Sequence, residues 1–171
     1  MITLIAAVDK KYGLGANGKL LAMVPEDMKR FKEKTLNQIV IMGKTTWLSL
    51  PLRETIDSLE KTHALKGRKN VVLSFNKQYF HGAYNLNSVE EVLQLAKTKD
   101  IFIIGGASIY EQFYQYADVI ELTVFNTIFE EADIFFPQIS FNDFNLVEAE
   151  AIQTSDKTDF NIAFLTFARI K

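Results

Sequence analysis

Two short runs of the chain are almost continuously apolar and stand out from the mixed sequence around them. They are Ile2–Val8 and residues 101–104, the second followed directly by Gly105 and Gly106. Strands that are apolar on both faces are typical of a sheet interior that is covered on both sides. The shorter apolar runs 38–42 and 70–73 predict two more buried strands of the same kind.

Helical patterns separate these runs, over residues 25–36, 88–97 and 107–116. Ser88 is followed three residues later by Glu91, the capping-box pattern that marks a helix start. Strands that alternate with helices predict right-handed crossovers and a mostly parallel sheet.

The C-terminal third has a different pattern. Residues 144–151 alternate Val147 and Ala149 with Glu148 and Glu150, so one face of this strand is expected to be wet. A second β-rich run, 160–170, follows a short polar turn and completes an antiparallel hairpin at the sheet edge. The predicted fold class is therefore α/β, with a mixed, mostly parallel central sheet flanked by helices and a C-terminal antiparallel hairpin. No linker or repeat divides the chain, so we expect residues 1–171 to form a single domain.

Composition removes several classes of function. The net charge of −2 gives no support for a nucleic-acid surface. The chain has no cysteine, which excludes disulfides and thiol nucleophiles, and its two histidines lack zinc-ligand spacing. No apolar run reaches membrane-spanning length, and the start of the chain reads as a strand, not as a signal peptide. We expect a cytoplasmic monomer with no metal, no nucleic acid and no membrane partner.

Asp27 is the first candidate for chemistry. If Pro25 opens a helix, Asp27 shares a face with Met28 and Phe31, while Lys29, Arg30, Lys32 and Glu33 take the other face. One interpretation is an acid that complements the helix dipole from the first turn. The other is a lone buried carboxylate, which must be paired or have a raised pKa.

Three glycine-containing turns are further candidates. Gly105 to Ser108 lie between a buried strand and a helix, where backbone N–H groups can approach a phosphate. Gly43 to Thr46 repeat the arrangement with a lysine and two hydroxyls. Each is also explained by an ordinary tight turn or helix cap, and neither matches a dinucleotide or P-loop fingerprint. The loop 12–18, with three glycines, suits a mobile lid or a plain surface loop.

Taken together, these residues resemble the dihydrofolate reductase family along the whole chain. The similarity lies in the order and spacing of many short motifs, at residues 4–9, 14–18, 25–32, 35–37, 41–47, 67–70, 104–113, 122–123 and 132–137. The resemblance implies NADPH-dependent reduction of 7,8-dihydrofolate to tetrahydrofolate, by hydride transfer to C6 with protonation of N5. Antifolate inhibitors are implied as further small-molecule ligands.

The resemblance also implies a role for each matching residue in the substrate site. Asp27 would bind the pterin and favour its protonated form, with Thr123 hydrogen-bonded beside it and a water delivering the proton to N5. Arg68 would hold the glutamate α-carboxylate, which its planar fork suits. The walls around the pterin and benzoyl rings would come from Ile5, Ala7, Met28, Phe31, Leu50 and Ile104.

The cofactor site is implied in the same way. Residues beside the nicotinamide or in the lid would be Ala7, Tyr110, Leu14, Gly15 and Gly18. Phosphate contacts would come from Gly43, Lys44, Thr45 and Thr46, with Leu73 and Ser74 near the adenosine 2′-phosphate. The pyrophosphate would lie against Gly105, Gly106, Ala107, Ser108 and Ile109, with a cis bond between the two glycines. Asp133 would bond to the lid.

The chain departs from the family pattern at a few positions. Ala22 stands where a tryptophan is usual, and Leu21 replaces the usual proline before it. We therefore expect a wetter and looser pterin pocket. Ala107 replaces a third glycine, which affects cofactor affinity at most.

Residues 51–66 form an apparent insertion, in which Leu52, Ile56, Leu59 and His63 have helical spacing. This spacing predicts a short amphipathic helix near the cofactor side, with His63 a surface or half-buried histidine.

Two alternatives remain open on the sequence. One is the riboflavin-pathway pyrimidine reductase of the same fold, against which Asp27, Phe31 and Arg68 count. The other is a non-catalytic NADPH-binding or structural module, which only the missing tryptophan supports.

Overall fold

A computed structural model describes residues 1–56 and 58–171 of the chain. In chain order, the strands are β1 (Ile2–Val8), β2 (Gly13–Ala16), β3 (Lys19–Leu20), β4 (Ile39–Gly43), β5 (Arg53–Glu54), β6 (Lys61–Thr62), β7 (Lys69–Leu73), β8 (Tyr84–Leu86), β9 (Ile101–Ile103), β10 (Val119–Phe125), β11 (Ile134–Phe135), β12 (Phe144–Ile152) and β13 (Ile162–Arg169). The helices are α1 (Pro25–Thr35), α2 (Lys44–Ser49), α3 (Val89–Ala96) and α4 (Ala107–Tyr114).

An eight-stranded sheet organises the described part of the chain, in the order β12-β13-β10-β1-β9-β4-β7-β8. Neighbouring strands from β8 across to β10 run parallel. β13 is antiparallel to β10, and β12 is antiparallel to β13. The predicted mixed, mostly parallel sheet with a C-terminal hairpin at its edge is confirmed.

Both faces of the central strands are covered, which explains the continuous apolar runs. In β4, Ile41 packs into a cluster with Leu4 of β1 and Phe113 of α4. Val40 and Met42 point the other way, into a second cluster around Trp47 of α2. All of these side chains are buried, so neither face of the strand can tolerate polar residues.

The predicted helix starts are also confirmed. Pro25 occupies the first turn of α1, where its missing N–H costs nothing. The Ser88 side chain accepts a hydrogen bond of 3.2 Å from the Glu91 amide and caps α3. The Glu91 carboxylate reaches back to the Asn87 amide at 2.6 Å, one residue before the usual capping-box partner.

The prediction that β12 has one solvent-exposed face and one buried face is wrong. Phe144 at the start of the strand is buried, but Val147 is 55 % exposed and both faces of the strand are open through Ala151. β12 lies at the sheet edge, and a register shift between Leu146 and Glu148 breaks the alternation.

The helix predicted for residues 51–66 is wrong as well. β5 and β6 pair antiparallel there as a small hairpin, and Ile56 and Leu59 at its tip are fully exposed. Asp57, within the predicted helix, lies outside the described residues. A short helix is marginal without a face to pack, and these apolar side chains meet no core. His63 is half-buried beside Trp47, in agreement with its prediction.

Candidate active site

The Asp27 carboxyl faces the sheet from the first turn of α1. The Thr123 hydroxyl lies near enough to influence the pKa of that carboxyl, and Thr123 is a buried residue of β10. Burial raises the pKa of Asp27, while the Thr123 hydroxyl and the Arg30 charge act in the opposite direction. An acid that merely complemented the helix dipole would be fully solvated, whereas Asp27 is half-buried and partly desolvated, so the structure favours the second interpretation.

Asp27 lies near the carboxyl ends of β1 and β10. In register, Ala7 of β1 pairs with Thr123. The Tyr110 hydroxyl donates a hydrogen bond of 2.7 Å to the Ile5 carbonyl, and both residues are buried. Burial raises the pKa of Tyr110, and the charge of Asp27 raises it further, which places the two groups within electrostatic reach. The structure therefore brings Asp27, Thr123, Ile5, Ala7 and Tyr110 together.

Arg68 and Phe31 form a second part of the predicted substrate site. The Arg68 guanidinium lies over the Phe31 ring, 5.9 Å from its centroid. Its Nε donates to the Thr35 hydroxyl at 3.1 Å and its Nη1 donates to the Lys66 carbonyl at 2.6 Å. Partial burial and the charge of Arg53 lower the pKa of Arg68, so an anionic ligand would be favoured there.

The remaining wall residues differ in exposure. Met28 is 49 % exposed on the next position of α1, while Leu50 and Ile104 are half-buried at the edge of the Trp47 cluster. A half-exposed apolar side chain beside a partly desolvated carboxyl is typical of an open ligand cleft.

Two glycine turns meet at the carboxyl ends of β4 and β9. The Gly43 amide donates a hydrogen bond of 2.8 Å to the Gly105 carbonyl, so the starts of α2 and α4 are adjacent. A Cβ at Gly43 would lie 3.0 Å from Ile109, and one at Gly106 would lie 3.2 Å from the Thr46 hydroxyl. The peptide bond between Gly105 and Gly106 is cis, as the resemblance implied.

The side chains around these two turns suit a phosphorylated ligand. Lys44, Thr45 and Ser108 are exposed, and Thr46 and Ala107 are half-buried. Two helix starts supply backbone N–H groups, and Lys44 adds a positive charge. The arrangement therefore fits a diphosphate held between the turns.

Two aspartates anchor the glycine-rich loop 12–18 through hydrogen bonds to backbone amides. The Asp9 carboxylate accepts hydrogen bonds from the amides of Lys11, Gly13 and Phe129. The Asp133 carboxylate accepts one of 2.9 Å from the Asn17 amide, as expected. The role of Asp9 was missed because a single acid after a strand carries no distinctive signal.

Glycine is required within this loop. A Cβ at Gly15 would lie 2.6 Å from the Lys19 carbonyl, and Gly18 has a φ of +74°. Leu14, directly before Gly15, packs against the main core.

The two residues predicted to lie near the adenosine 2′-phosphate are buried. Leu73 belongs to the core of the sheet, and Ser74 is 8 % exposed. The Ser74 hydroxyl donates to the Asn76 carbonyl at 3.2 Å, so it is engaged within its own turn.

The predicted orientation of Arg30 is wrong. Arg30 was assigned to the solvent face of α1, but its side chain is only 12 % exposed and forms an ion pair with the buried Glu121 of β10. Arg30 lies three residues after Asp27, and that spacing keeps both on one helix face. The sequence signals that could have found the pair are this spacing and the single acid in the apolar strand around Glu121.

No group of acidic or histidine side chains in residues 1–56 and 58–171 is arranged to hold a metal ion. Among the helices of the same residues, none combines the length and apolarity needed to cross a bilayer.

Comparisons with known proteins decide the family. The family model described as dihydrofolate reductase matches residues 1–169. The chain is 36 % identical to the dihydrofolate reductase of Buchnera aphidicola from Acyrthosiphon pisum, over 80 % of this chain and 79 % of the relative. It is 35 % identical to that of Neisseria meningitidis serogroup A, over 98 % of both. The chain belongs to the dihydrofolate reductase family.

A solved structure agrees with this assignment. The dihydrofolate reductase from Enterococcus faecalis complexed with NADP(H) and RAB-propyl superposes with a TM-score of 0.85 at 28 % identity, covering 100 % of this chain and 97 % of that one. As a dihydrofolate reductase, the chain is an NADPH-dependent oxidoreductase that reduces 7,8-dihydrofolate to tetrahydrofolate. The pyrimidine reductase and the non-catalytic module are thereby set aside.

The glycine turns fit the cofactor of this dihydrofolate reductase. A Cβ at Gly43 or Gly106 would crowd the Ile109 or Thr46 side chain, so glycine at both positions leaves the backbone accessible between the two helix starts. A pyrophosphate needs such a close approach of backbone N–H groups.

Proposed function

We propose that Asp27 is the group that binds the dihydropterin ring and promotes its protonation. The observation that carries this proposal is the half-buried Asp27, whose carboxyl faces the buried Thr123 and lies within electrostatic reach of Tyr110. A carboxylate in this setting pairs with the 2-amino group and ring nitrogen of a pterin through charge-assisted hydrogen bonds.

The charge of Asp27 explains how the chain helps the reaction. Bound NADPH supplies a hydride to C6 of the pterin. Protonated N5 makes C6 a better acceptor, and a negative charge held nearby favours that protonated form. Ile5 and Ala7 keep the surroundings apolar, which strengthens the field of the carboxylate. Asp27 acts through its charge, and the proton reaches N5 from a water.

The remaining residues bind and orient. Arg68 holds the glutamate α-carboxylate through Nη2, which has no acceptor among the described residues, while Nε and Nη1 are held by Thr35 and Lys66. Phe31, beneath the guanidinium, and half-exposed Met28 bound the benzoyl ring. Leu50 and Ile104 complete that wall.

The cofactor residues divide between the two turns and the lid. Lys44, Thr45 and Thr46 contact phosphate oxygens from one side, and Gly106, Ala107, Ser108 and Ile109 do so from the other. Leu14, Gly15 and Gly18 cover the nicotinamide end beside Ala7 and Tyr110, while Ser74 and its turn lie by the adenosine 2′-phosphate.

The active form in this proposal is a monomer. Its support is that Asp27, Thr123, Gly43 and Gly106 all lie at the carboxyl ends of strands in one sheet, so the proposed site needs no residue from a second copy.

A substrate comparison tests the proposed site. We expect NADPH absorbance to fall when 7,8-dihydrofolate is added to the purified protein, and to stay constant with a ribosylaminopyrimidine. We also expect the dihydrofolate-dependent rate to be lost on addition of an antifolate that carries a protonated diaminopyrimidine, since that ring pairs with a carboxylate. Reduction of the pyrimidine, or insensitivity to the antifolate, would contradict the proposal.

A further inference from the structure

A buried ion pair lies directly behind Asp27 on the same face of α1. The Arg30 Nη2 contacts Glu121 Oε2 at 2.5 Å, and the two side chains are 12 % and 9 % exposed. Glu121 is two residues before Thr123 on β10, so both point toward α1. The catalytic carboxyl and this pair therefore form one row across the helix and the strand.

Glu121 is the centre of this arrangement. Its Oε2 also accepts a hydrogen bond of 2.9 Å from the Thr166 hydroxyl of β13, and its Oε1 lies 3.4 Å from Lys34 Nζ. The Arg30 guanidinium is stacked over the Phe164 ring at 4.5 Å, which fixes its plane against the hairpin. Arg30 is thus held by two contacts on the sheet, and it forms no ion pair with Asp27 in the described part of the chain.

Arg30 has two acidic neighbours, Asp27 and Glu121, and of these only Asp27 has a proposed role in binding the pterin. Asp27 lies one helical turn before Arg30 and feels its charge. An Arg–carboxylate pair between them would occupy the oxygens that the pterin uses. Glu121 keeps Arg30 from pairing with Asp27, because it offers Arg30 a different carboxylate. That carboxylate is buried and already accepts a hydrogen bond from Thr166.

We propose that Glu121 is a positioning residue for the reductase reaction, which holds Arg30 against the hairpin so that the Asp27 carboxylate stays available to the pterin. The inference rests on the role of Asp27 proposed above. Other polar or charged groups near the row are Tyr110 and Thr123 beside Asp27, Lys34 and Thr166 beside Glu121, and Glu26, Lys29, Glu33, Glu148 and Glu150 around the open groove between α1 and the hairpin.

The test uses charge changes of opposite sign. In Glu121→Gln, Arg30 is no longer neutralised and is free to pair with Asp27. We expect the KM for dihydrofolate to rise by about tenfold, which corresponds to about 1.4 kcal/mol. The acid limb of kcat/KM, which reports the free enzyme, should move to lower pH. In Arg30→Met, the acid limb should move to higher pH, because Glu121 then acts on Asp27 uncompensated.

Two further variants separate positioning from structural support. Glu121→Asp keeps the charge and should restore most of the parental KM. The double variant Arg30→Met/Glu121→Gln removes the whole pair and should return the acid limb close to that of the parent, because buried ion pairs are often replaceable by apolar groups. If Glu121→Gln does not fold, the other two variants still give distinct expectations: the acid limb should move to higher pH in Arg30→Met and stay close to that of the parent in the double variant.

A direct titration makes the outcome independent of turnover. Carboxyl-carbon NMR of the free protein, with Asp27 assigned by its loss in Asp27→Asn, should show Asp27 titrating at lower pH in Glu121→Gln and at higher pH in Arg30→Met. Equal titration of Asp27 in all variants, or acid limbs that move in the same direction, would overturn the proposal for Glu121. Failure of the proposed role of Asp27 would instead appear as an unchanged rate in Asp27→Asn.

Discussion

The Tyr110 hydroxyl donates a 2.7 Å hydrogen bond to the Ile5 carbonyl and so fastens the first turn of α4 to β1. Both residues are buried, with Tyr110 only 4 % exposed. The bond connects the glycine turn at Gly105 and Gly106 to the strand that carries Ala7 into the site. It thereby fixes the distance between the proposed cofactor and substrate subsites.

Loss of this bond should cost stability. In Tyr110→Phe, the Ile5 carbonyl stays buried without its partner, so we expect a loss of about 1–3 kcal/mol in the free energy of unfolding. For a chain of this size, that loss lowers the Tm by roughly 2–4 °C per kcal/mol. Thermal unfolding measures it, and Tyr84→Phe, at a 70 % exposed tyrosine, is the control. Equal Tm values for the two variants would contradict the structural role of the bond.

Partial burial of the Asp27 carboxyl should lower the stability of the folded chain at neutral pH. Because burial raises its pKa in the folded chain, the folded state keeps its proton at pH values where the unfolded state has lost it. Stability therefore falls as the pH rises through that window, and it stays lower above it. Asp27→Asn removes this cost.

We expect Asp27→Asn to have a higher Tm than the parent at pH 7, and the difference to shrink below about pH 4, where both states of the parent are protonated. Thermal scans at a series of pH values measure the effect. A parent chain that is more stable than Asp27→Asn at neutral pH would show that the carboxylate is fully compensated in the folded state.

The sequence located Asp27 and the glycine turns because each has a local signature. Pro25 sets the phase of α1, and the glycines follow apolar strands at the sheet edge. Arg30 was misplaced because its charge was taken to indicate solvent, although the partner that neutralises it, Glu121, is 91 residues away. Such a partner depends on strand order, which local patterns do not specify.

The helix prediction for residues 51–66 was wrong for a related reason. Helical spacing of Leu52, Ile56, Leu59 and His63 predicts a helix only if something covers the resulting face. The Thr62 hydroxyl instead bonds the His81 carbonyl, and the His63 ring meets Trp47, so the segment is anchored near its end by tertiary contacts. Periodicity alone does not contain that information.

Lys44 should contribute to cofactor affinity through its charge. It is exposed at the start of α2, beside the Gly43 turn. We expect Lys44→Gln to raise the Kd for NADPH about tenfold, equivalent to about 1.4 kcal/mol, and the effect to shrink as salt screens the charge. Fluorescence titration measures this affinity. Lys99→Gln, at the opposite end of the sheet before β9, should leave the Kd unchanged, and equal effects of the two variants would argue against a phosphate contact.

The small side chain of Ala22 should weaken the binding of ligands in the pterin pocket. Its side chain is half-buried at the edge of the cluster formed by Val24, Phe125 and Ile162, which Ala7 of the proposed site also contacts. We expect Ala22→Trp to lower the KM for dihydrofolate and the Kd for an antifolate several-fold. Ala22→Phe adds bulk without an indole N–H and distinguishes packing from ordering of water. Unchanged KM and inhibitor affinity in Ala22→Trp would refute the looser pocket.

The rate of Asp27→Asn as a function of pH tests the central claim most directly. Substitution removes the charge that favours the protonated pterin, so kcat/KM for dihydrofolate at pH 7 should fall by at least about 10²-fold. Part of the loss should be regained as the pH is lowered and the solvent itself protonates the substrate. Glu33→Gln, an exposed acid on the same helix, should behave as the parent. An Asp27→Asn variant that reduces dihydrofolate as fast as the parent at neutral pH would contradict the account.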